Sequence, residues 1–177
     1  MKKIIAALFL LIFAQVGFSQ NAAGVVSGHT TEKELVQRLA GPWALVSIES
    51  VDAAGAVERP YGNSPQGRLI FDTNGNYSIQ IYRAGRAEIA AGDKTKATPD
   101  EYKELALSSN THFGRYKVDA EAGTITYFVE QAFFPNWSGK GLKSVLELNG
   151  DELKHSVSRT SDGAVFQIAI WKRLQSR

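Results

Sequence analysis

The sequence predicts an all-β fold, an eight-stranded antiparallel up-and-down barrel with a short N-terminal helix and one inserted helix. Three observations lead to this prediction. After residue 41, short β-type runs alternate with turn residues. The turns at 121–123, 149–151 and 161–163 are tight, so the strands on either side of each are antiparallel neighbours. Eight such strands in chain order favour a closed barrel, because closure leaves no exposed strand edge.

Two helices are predicted from capping signals. Thr31 and Glu34 form a capping box before an amphipathic stretch, which ends where Gly41 and Pro42 interrupt it. A second capping box begins at Thr98, where proline follows at the first helical position. The first helix therefore precedes the barrel, and the second is an insertion between strands.

The strands follow one another as a single meander without an internal repeat. Their predicted ranges are 43–51, 68–72, 77–83, 112–119, 124–131, 141–148, 152–159 and 164–173. Strand alternation places Trp43, Leu45, Ser47 and Glu49 on one side of the first strand. Because several strands carry polar and apolar residues on each side, we favour a partly polar cavity, with a filled core as the alternative.

Composition places the chain among ordinary globular proteins. Of its 177 residues, 44% are hydrophobic and 21% are charged. The absence of cysteine excludes a disulfide framework, a thiolate metal site, a cysteine nucleophile and a lipoprotein anchor. Without Lys2 and Lys3, 18 of the 20 basic residues remain, against 18 acidic residues. This near-zero charge predicts no nucleic-acid partner.

The N-terminus has the pattern of a secretory signal peptide, predicted at 1–19. Two lysines precede an apolar run at 4–16, and small residues stand before Gln20 for cleavage. The run is shorter than the roughly 20 residues of a transmembrane helix, so no stable membrane insertion is expected after cleavage. We expect a periplasmic or secreted protein, with a flexible leader at 20–30 and a barrel domain at 31–177.

Two residues at the ends of the predicted barrel resemble a known pairing. Gly41 and Trp43 form a Gly-x-Trp motif directly after a helix, and Arg173 closes the last strand. This arrangement resembles the lipocalin superfamily. The resemblance implies that Arg173 packs over Trp43 at the closed end of the barrel, as a structural plug and not as a catalyst.

A longer set of stretches is similar to the bacterial and fungal lipocalin-like domain family. Together these stretches extend from about residue 39 to 173, and they are 59–62, 67–71, 74–75, 78–80, 114–116, 129–130 and 135–139. The sequence lacks the Thr-Asp-Tyr motif and the disulfide of classical lipocalins. The resemblance therefore does not imply that this protein binds their ligands, such as retinoids. The resemblance therefore implies architecture more than activity.

Six residues are predicted to bind a ligand: Gln80, Tyr82, Arg83, His112, Glu130 and Trp137. Glu130 would bind a polar group or act as a base, or else pair with an arginine at a strand end. His112 would act as a general acid or base, or else be structural. Tyr82 and Arg83 would form an anion-recognising rim or a solvated one. Trp137 would belong to an aromatic mouth or to ordinary packing over the barrel end.

Three functions remain open at this point. The first is an exported protein that binds a small apolar or amphipathic ligand in the barrel. The second is a cofactor-free isomerase, cyclase or hydro-lyase, in which Glu130 and His112 converge on one cavity. The third is an envelope interaction protein with a solid barrel. Three scattered histidines and no cysteine predict no metal site, and we expect no cofactor.

Overall fold

The computed structural model describes residues 30–158 and 166–175. The predicted signal peptide at 1–19, the leader up to residue 29 and the predicted turn at 161–163 lie outside the described residues. Within the described ranges, no helix combines the length and the apolar character needed to cross a membrane.

Eight antiparallel strands close into a barrel, which confirms the predicted fold. The eight barrel strands are β1 (Gly41–Val51), β3 (Gln66–Phe71), β4 (Asn76–Tyr82), β5 (Ser109–Asp119), β6 (Thr124–Ala132), β7 (Gly141–Asn149), β8 (Glu152–Ser158) and β9 (Phe166–Arg173). A further short strand, β2 (Val57–Glu58), lies between β1 and β3 in the chain. From β3 to β9 each strand pairs with the next, and β1 pairs with both β3 and β9 to complete the ring. The two-residue strand β2 was not predicted. It pairs with the last two residues of β1 and is not part of the barrel ring.

Both predicted helices are present, as α1 (Glu32–Leu39) and α2 (Pro99–Leu107). In α1 the Glu34 amide donates to the Thr31 hydroxyl over 3.2 Å, and the Glu34 carboxylate accepts from the Thr31 amide over 2.8 Å. The same reciprocal bonds join Thr98 and Glu101 in α2. The local capping signals therefore determined where each helix begins.

The two ends of the barrel differ because the connections at them differ. Short turns after β3, β5 and β7 lie at one end, together with α1. The longer connections at 52–65, 83–108 and 133–140 lie at the opposite end. We call these the closed end and the open end.

The closed end of the barrel is filled by large side chains. The rings of Phe71 and Tyr116 meet edge to face with centroids 4.8 Å apart, and the ring of Tyr127 stacks 6.2 Å from Phe71. Leu39 at the end of α1 and Trp43 in β1 are both completely buried. This end is therefore a solid core.

A β-bulge in β1 corrects one predicted face. The pairing with β9 shifts register between Leu45 and Ser47. Beyond the shift, Ile48 and Ser50 are buried, whereas Ser47 and Glu49 are only half-buried. The prediction that Ser47 and Glu49 share the inward face of Leu45 is wrong, because the extra residue of a bulge reverses the alternation after it.

Candidate functional site: the barrel cavity

The open half of the barrel contains a cavity of about 570 Å³. Seven of the eight barrel strands line it, all except β3. Its apolar wall includes Ile48, Ile79, Ile81, Leu142, Val157 and Ala169. Its polar wall includes Asn110, His112, Tyr127, Ser144, His155 and Gln167. A cavity of this size lies within the usual range for small-molecule sites, about 300–1,000 Å³.

Loops at the open end cover the mouth of the cavity. Pro60 and Tyr61 come from the connection after β1, Leu107 ends α2, and Trp137 lies on a short 3₁₀ turn after β6. Trp171 lines the cavity from β9, two residues before the closing Arg173. The cavity therefore extends from the loops down to the filled half of the barrel.

Two tyrosine–histidine pairs lie side by side in the barrel. The Tyr77 hydroxyl lies 2.8 Å from Nδ1 of His112, and the Tyr127 hydroxyl lies 3.0 Å from Nε2 of His155. The rings of Tyr77 and Tyr127 meet edge to face, with centroids 4.7 Å apart. Because both tyrosines pair with a histidine and their rings touch, the four side chains form one connected polar cluster in the barrel interior.

Burial keeps this cluster uncharged at neutral pH. Burial lowers the pKa of His112 to about 4 and the pKa of His155 to about 3. It also raises the pKa of Tyr127 and of Tyr77, and the charge of Glu130 raises the pKa of Tyr77 further. Both histidines are neutral at pH 7, so they can donate and accept hydrogen bonds without carrying charge.

The cavity wall contains no ionised group among the described residues. None of the side chains that line it there is Asp, Glu, Lys or Arg. In the same part of the chain, no three His, Asp or Glu side chains come together as metal ligands. The indole nitrogen of Trp171 is buried and has no hydrogen-bond partner among the described residues. The wall thus offers polar atoms without formal charge.

A comparison with protein families matches residues 40–174 to the lipocalin-like domain. The chain belongs to the lipocalin-like domain family. The match spans the whole barrel, from the residue before β1 to the residue after β9, and it confirms the resemblance seen in the sequence. A comparison with curated proteins finds no significant match.

In this lipocalin-like domain, two of the six predicted ligand residues line the cavity. His112 projects from β5, and Trp137 lies above it at the mouth, with the two rings edge to face and 5.7 Å apart. His112 is buried on the same face of β5 as Tyr116 and Val118, as strand alternation requires.

The other four predicted residues do not line the cavity. Gln80 and Tyr82 alternate with Ile79 and Ile81 along β4. The two isoleucines are buried inside the barrel, so Gln80 and Tyr82 lie on the outer face. Arg83 lies at the rim, where its guanidinium pairs with Glu104 over 2.6 Å. Gln80 and Tyr82 therefore do not line the barrel interior, because the inward positions of β4 are the odd-numbered ones, whereas Arg83 follows the end of β4.

Glu130 is exposed and lies at a second bulge. Pairing of β5 with β6 shifts register between Phe113 and Gly114, and Glu130 is the unpaired residue opposite the shift. The expected convergence of Glu130 and His112 inside one cavity is not observed. The cavity contains the predicted imidazole, and its described lining contains no carboxylate.

Four residues that line the cavity or support it, Tyr77, Tyr127, His155 and Trp171, are not among the six predicted ligand residues. Three of them alternate with a buried aliphatic residue on their own strand, Tyr77 with Ile79, Tyr127 with Val129 and His155 with Leu153. This alternation is the signal that could have identified them. The pairing of Tyr127 with His155 joins β6 to β8 across β7 and depends on the curvature of the sheet.

Proposed function

We propose that this lipocalin-like domain binds a small, mostly apolar molecule inside its barrel. The cavity of about 570 Å³ in the open half carries this proposal. Apolar side chains from β1, β4, β7 and β8 would supply most of the affinity through burial. The tyrosine–histidine cluster would fix the orientation of the ligand, as a few placed polar groups do in small-molecule sites.

The same geometry favours binding over the two other functions considered. A solid barrel that acts only through its surface does not require a cavity. The enzyme hypothesis depended on Glu130 and His112 acting together, and Glu130 lies exposed on β6. Binding of an apolar molecule does not require the carboxylate that is missing from the described cavity lining.

Export of the protein is part of the proposal. It is supported by the signal-like pattern at 1–19, with its basic start, its apolar run and the small residues before Gln20. A binding protein that acts outside the cytoplasm would meet its ligand in the periplasm or the medium.

The binding function is tested by filling the cavity. Ala169 lines it from β9 and is half-buried, so Ala169→Phe should occupy part of the volume. The probe is N-phenyl-1-naphthylamine, an uncharged fluorescent molecule. We expect the variant to bind it at least about tenfold more weakly than the wild type, because steric overlap between the probe and the new phenyl ring costs about 1–3 kcal/mol.

The matched control is Ala122→Phe, the same change at an exposed turn outside the cavity. Circular dichroism and urea unfolding establish that both variants fold. Equal probe binding by the wild type and the two variants, or no saturable binding to the wild type, would overturn the proposal.

A further inference from the structure

The cavity combines hydrogen-bonding atoms with a complete lack of charged side chains among its described lining residues. Arg83 and Arg173 at the two ends of the barrel are already engaged, and Arg86, whose guanidinium lies over the ring of Tyr82, does not line the cavity. Arg83 pairs with Glu104 at the rim, and Arg173 pairs with Asp151 at the closed end over 3.2 Å. A ligand inside the barrel therefore meets neutral groups and no counter-ion.

Several of these neutral groups have unused hydrogen-bonding capacity. Nδ1 of His112 is bonded to Tyr77, which leaves Nε2 without a partner among the described residues. The Ser144 hydroxyl is buried in the wall and also has no partner there. The indole N–H of Trp171 is buried and unpartnered, and it can only donate. Buried polar groups are normally satisfied, so the Trp171 N–H calls for a partner, and His112 and Ser144 offer further polar atoms in the same wall.

The energetic consequence differs between charged and neutral ligands. An ionised carboxylate that loses its water in an apolar site is strongly destabilised unless a cation pairs with it. A carbonyl or hydroxyl oxygen loses far less on leaving water, and the free donors of the wall would replace its hydrogen bonds. The wall thus favours an uncharged oxygen over an anion.

We propose that the ligand of this barrel is an uncharged molecule with a carbonyl or hydroxyl oxygen, which hydrogen-bonds His112, Ser144 or Trp171 in the cavity wall. This inference rests on the proposed function and deepens it by naming the ligand class. It excludes carboxylate amphiphiles as the preferred ligands.

Three compounds on one skeleton test the inference at pH 7, by displacement of N-phenyl-1-naphthylamine from the wild-type protein. They are 2-acetylnaphthalene, 2-ethylnaphthalene and 2-naphthoate. We expect the ketone to bind about fivefold more tightly than the hydrocarbon, which corresponds to one net hydrogen bond. The carboxylate should bind at least about tenfold more weakly than the ketone.

Two results would overturn the inference and leave the proposed function intact. The first is that 2-naphthoate binds as tightly as 2-acetylnaphthalene. The second is that 2-ethylnaphthalene binds as tightly as 2-acetylnaphthalene. If the wild type binds neither the fluorescent probe nor any of the three compounds, the proposed function fails and the inference fails with it.

A gain-of-function pair supplies a second test. Gln167 lines the cavity and is half-buried, so an arginine there can keep part of its stem in contact with the wall. Gln167→Arg should strengthen 2-naphthoate binding at least about tenfold, because it supplies the missing cation. Gln80→Arg adds the same charge on the outer face of β4 and should leave binding unchanged. An equal effect of both variants, or no gain with Gln167→Arg, contradicts the inference.

Discussion

Arg173 joins the last strand to the helix that covers the closed end of the barrel. Its guanidinium lies 4.1 Å from the centre of the Trp43 ring and donates to the carbonyl oxygen of Ala40 over 3.0 Å. It also donates to the carbonyl oxygen of Arg38. The Trp43 indole in turn donates to the Leu39 carbonyl over 2.8 Å. The pairing that the sequence suggested is thus a structural plug, which satisfies the last carbonyls of α1.

Replacing Arg173 with lysine is expected to lower the free energy of unfolding by about 2 kcal/mol, because an ammonium cannot stack and bond two carbonyls at once. Urea unfolding followed by tryptophan fluorescence measures the change. The control is Arg68→Lys, an exposed arginine on β3, for which we expect a change within about 0.5 kcal/mol. Similar losses in both variants would contradict the assigned role.

The buried histidines make the stability of the protein depend on pH. Burial lowers the pKa of His112 to about 4 and that of His155 to about 3, below the value of about 6.5 in an unfolded chain. The unfolded state therefore binds more protons between these values, and stability falls as the pH drops below about 6.5. At pH 5 we expect a loss of about 1–2 kcal/mol for each histidine relative to pH 7.

Urea unfolding at pH 7 and pH 5 measures this loss. The double variant His112→Gln, His155→Gln keeps a hydrogen-bonding group beside each tyrosine and should show a much smaller pH effect. The side-chain hydrogen bonds of Asp72 and Asp93 lower their pKa values, so these carboxylates stay ionised at pH 5. An unchanged pH effect in the double variant would assign the loss to other groups.

Among the elements, β5 and β6 are joined through a bulge that requires glycine. A β-carbon placed at Gly114 would lie 2.1 Å from the carbonyl oxygen of Phe128 and 2.8 Å from the amide nitrogen of Glu130. Both are backbone atoms that cannot move without breaking the strand pair. The close approach of β5 to β6 therefore depends on the missing side chain.

Gly114→Ala is expected to destabilise the protein by about 3 kcal/mol, since the strands must separate at the bulge. Gly141→Ala is the matched control on β7, where the nearest atom to the added carbon is 3.7 Å away on Thr126. That change should stay within about 1 kcal/mol and can be stabilising. Thermal unfolding of both variants measures the difference, and a Gly114→Ala protein as stable as the control would refute this account of the bulge.

At the scale of the whole molecule, the barrel consists of a solid half and a hollow half. Trp43, Phe71, Ile125 and Leu153 fill the closed half with side chains that are at most 2% exposed. In the open half, the inward positions include smaller side chains such as Ser144. An eight-stranded barrel encloses just enough space for side chains or one small ligand, and this chain divides the space between the two uses.

The proposed export concerns the whole chain. We expect protein isolated from the envelope or medium of its host to begin at Gln20, as judged by N-terminal sequencing and intact mass. Leu10→Arg, which interrupts the apolar run, should leave an unprocessed chain in the cytoplasm. Accumulation of the unprocessed wild-type chain in the cytoplasm would contradict export.

Local signals in the sequence determined the order and type of the elements. Capping boxes at Thr31 and Thr98 set the helix starts, and glycine-containing turns set the antiparallel order of the strands. The motif at Trp43, with Arg173, indicated which end is closed. The caps and turns depend on neighbours in the chain, so the sequence reveals them directly, whereas the pairing of Trp43 with Arg173 was implied by the family resemblance.

Only the tertiary structure decided which side chains share the cavity. The β1 bulge reversed the predicted face of Ser47, and Glu130 lies exposed at the β6 bulge. Tyr127 meets His155 because β6 and β8, which lie on either side of β7, curve around the same interior. Bulges and contacts between strands depend on the register in which the strands pair, and no local pattern encodes that register. The sequence alone therefore determined the barrel fold. The tertiary structure determined which uncharged side chains line the cavity in its open half.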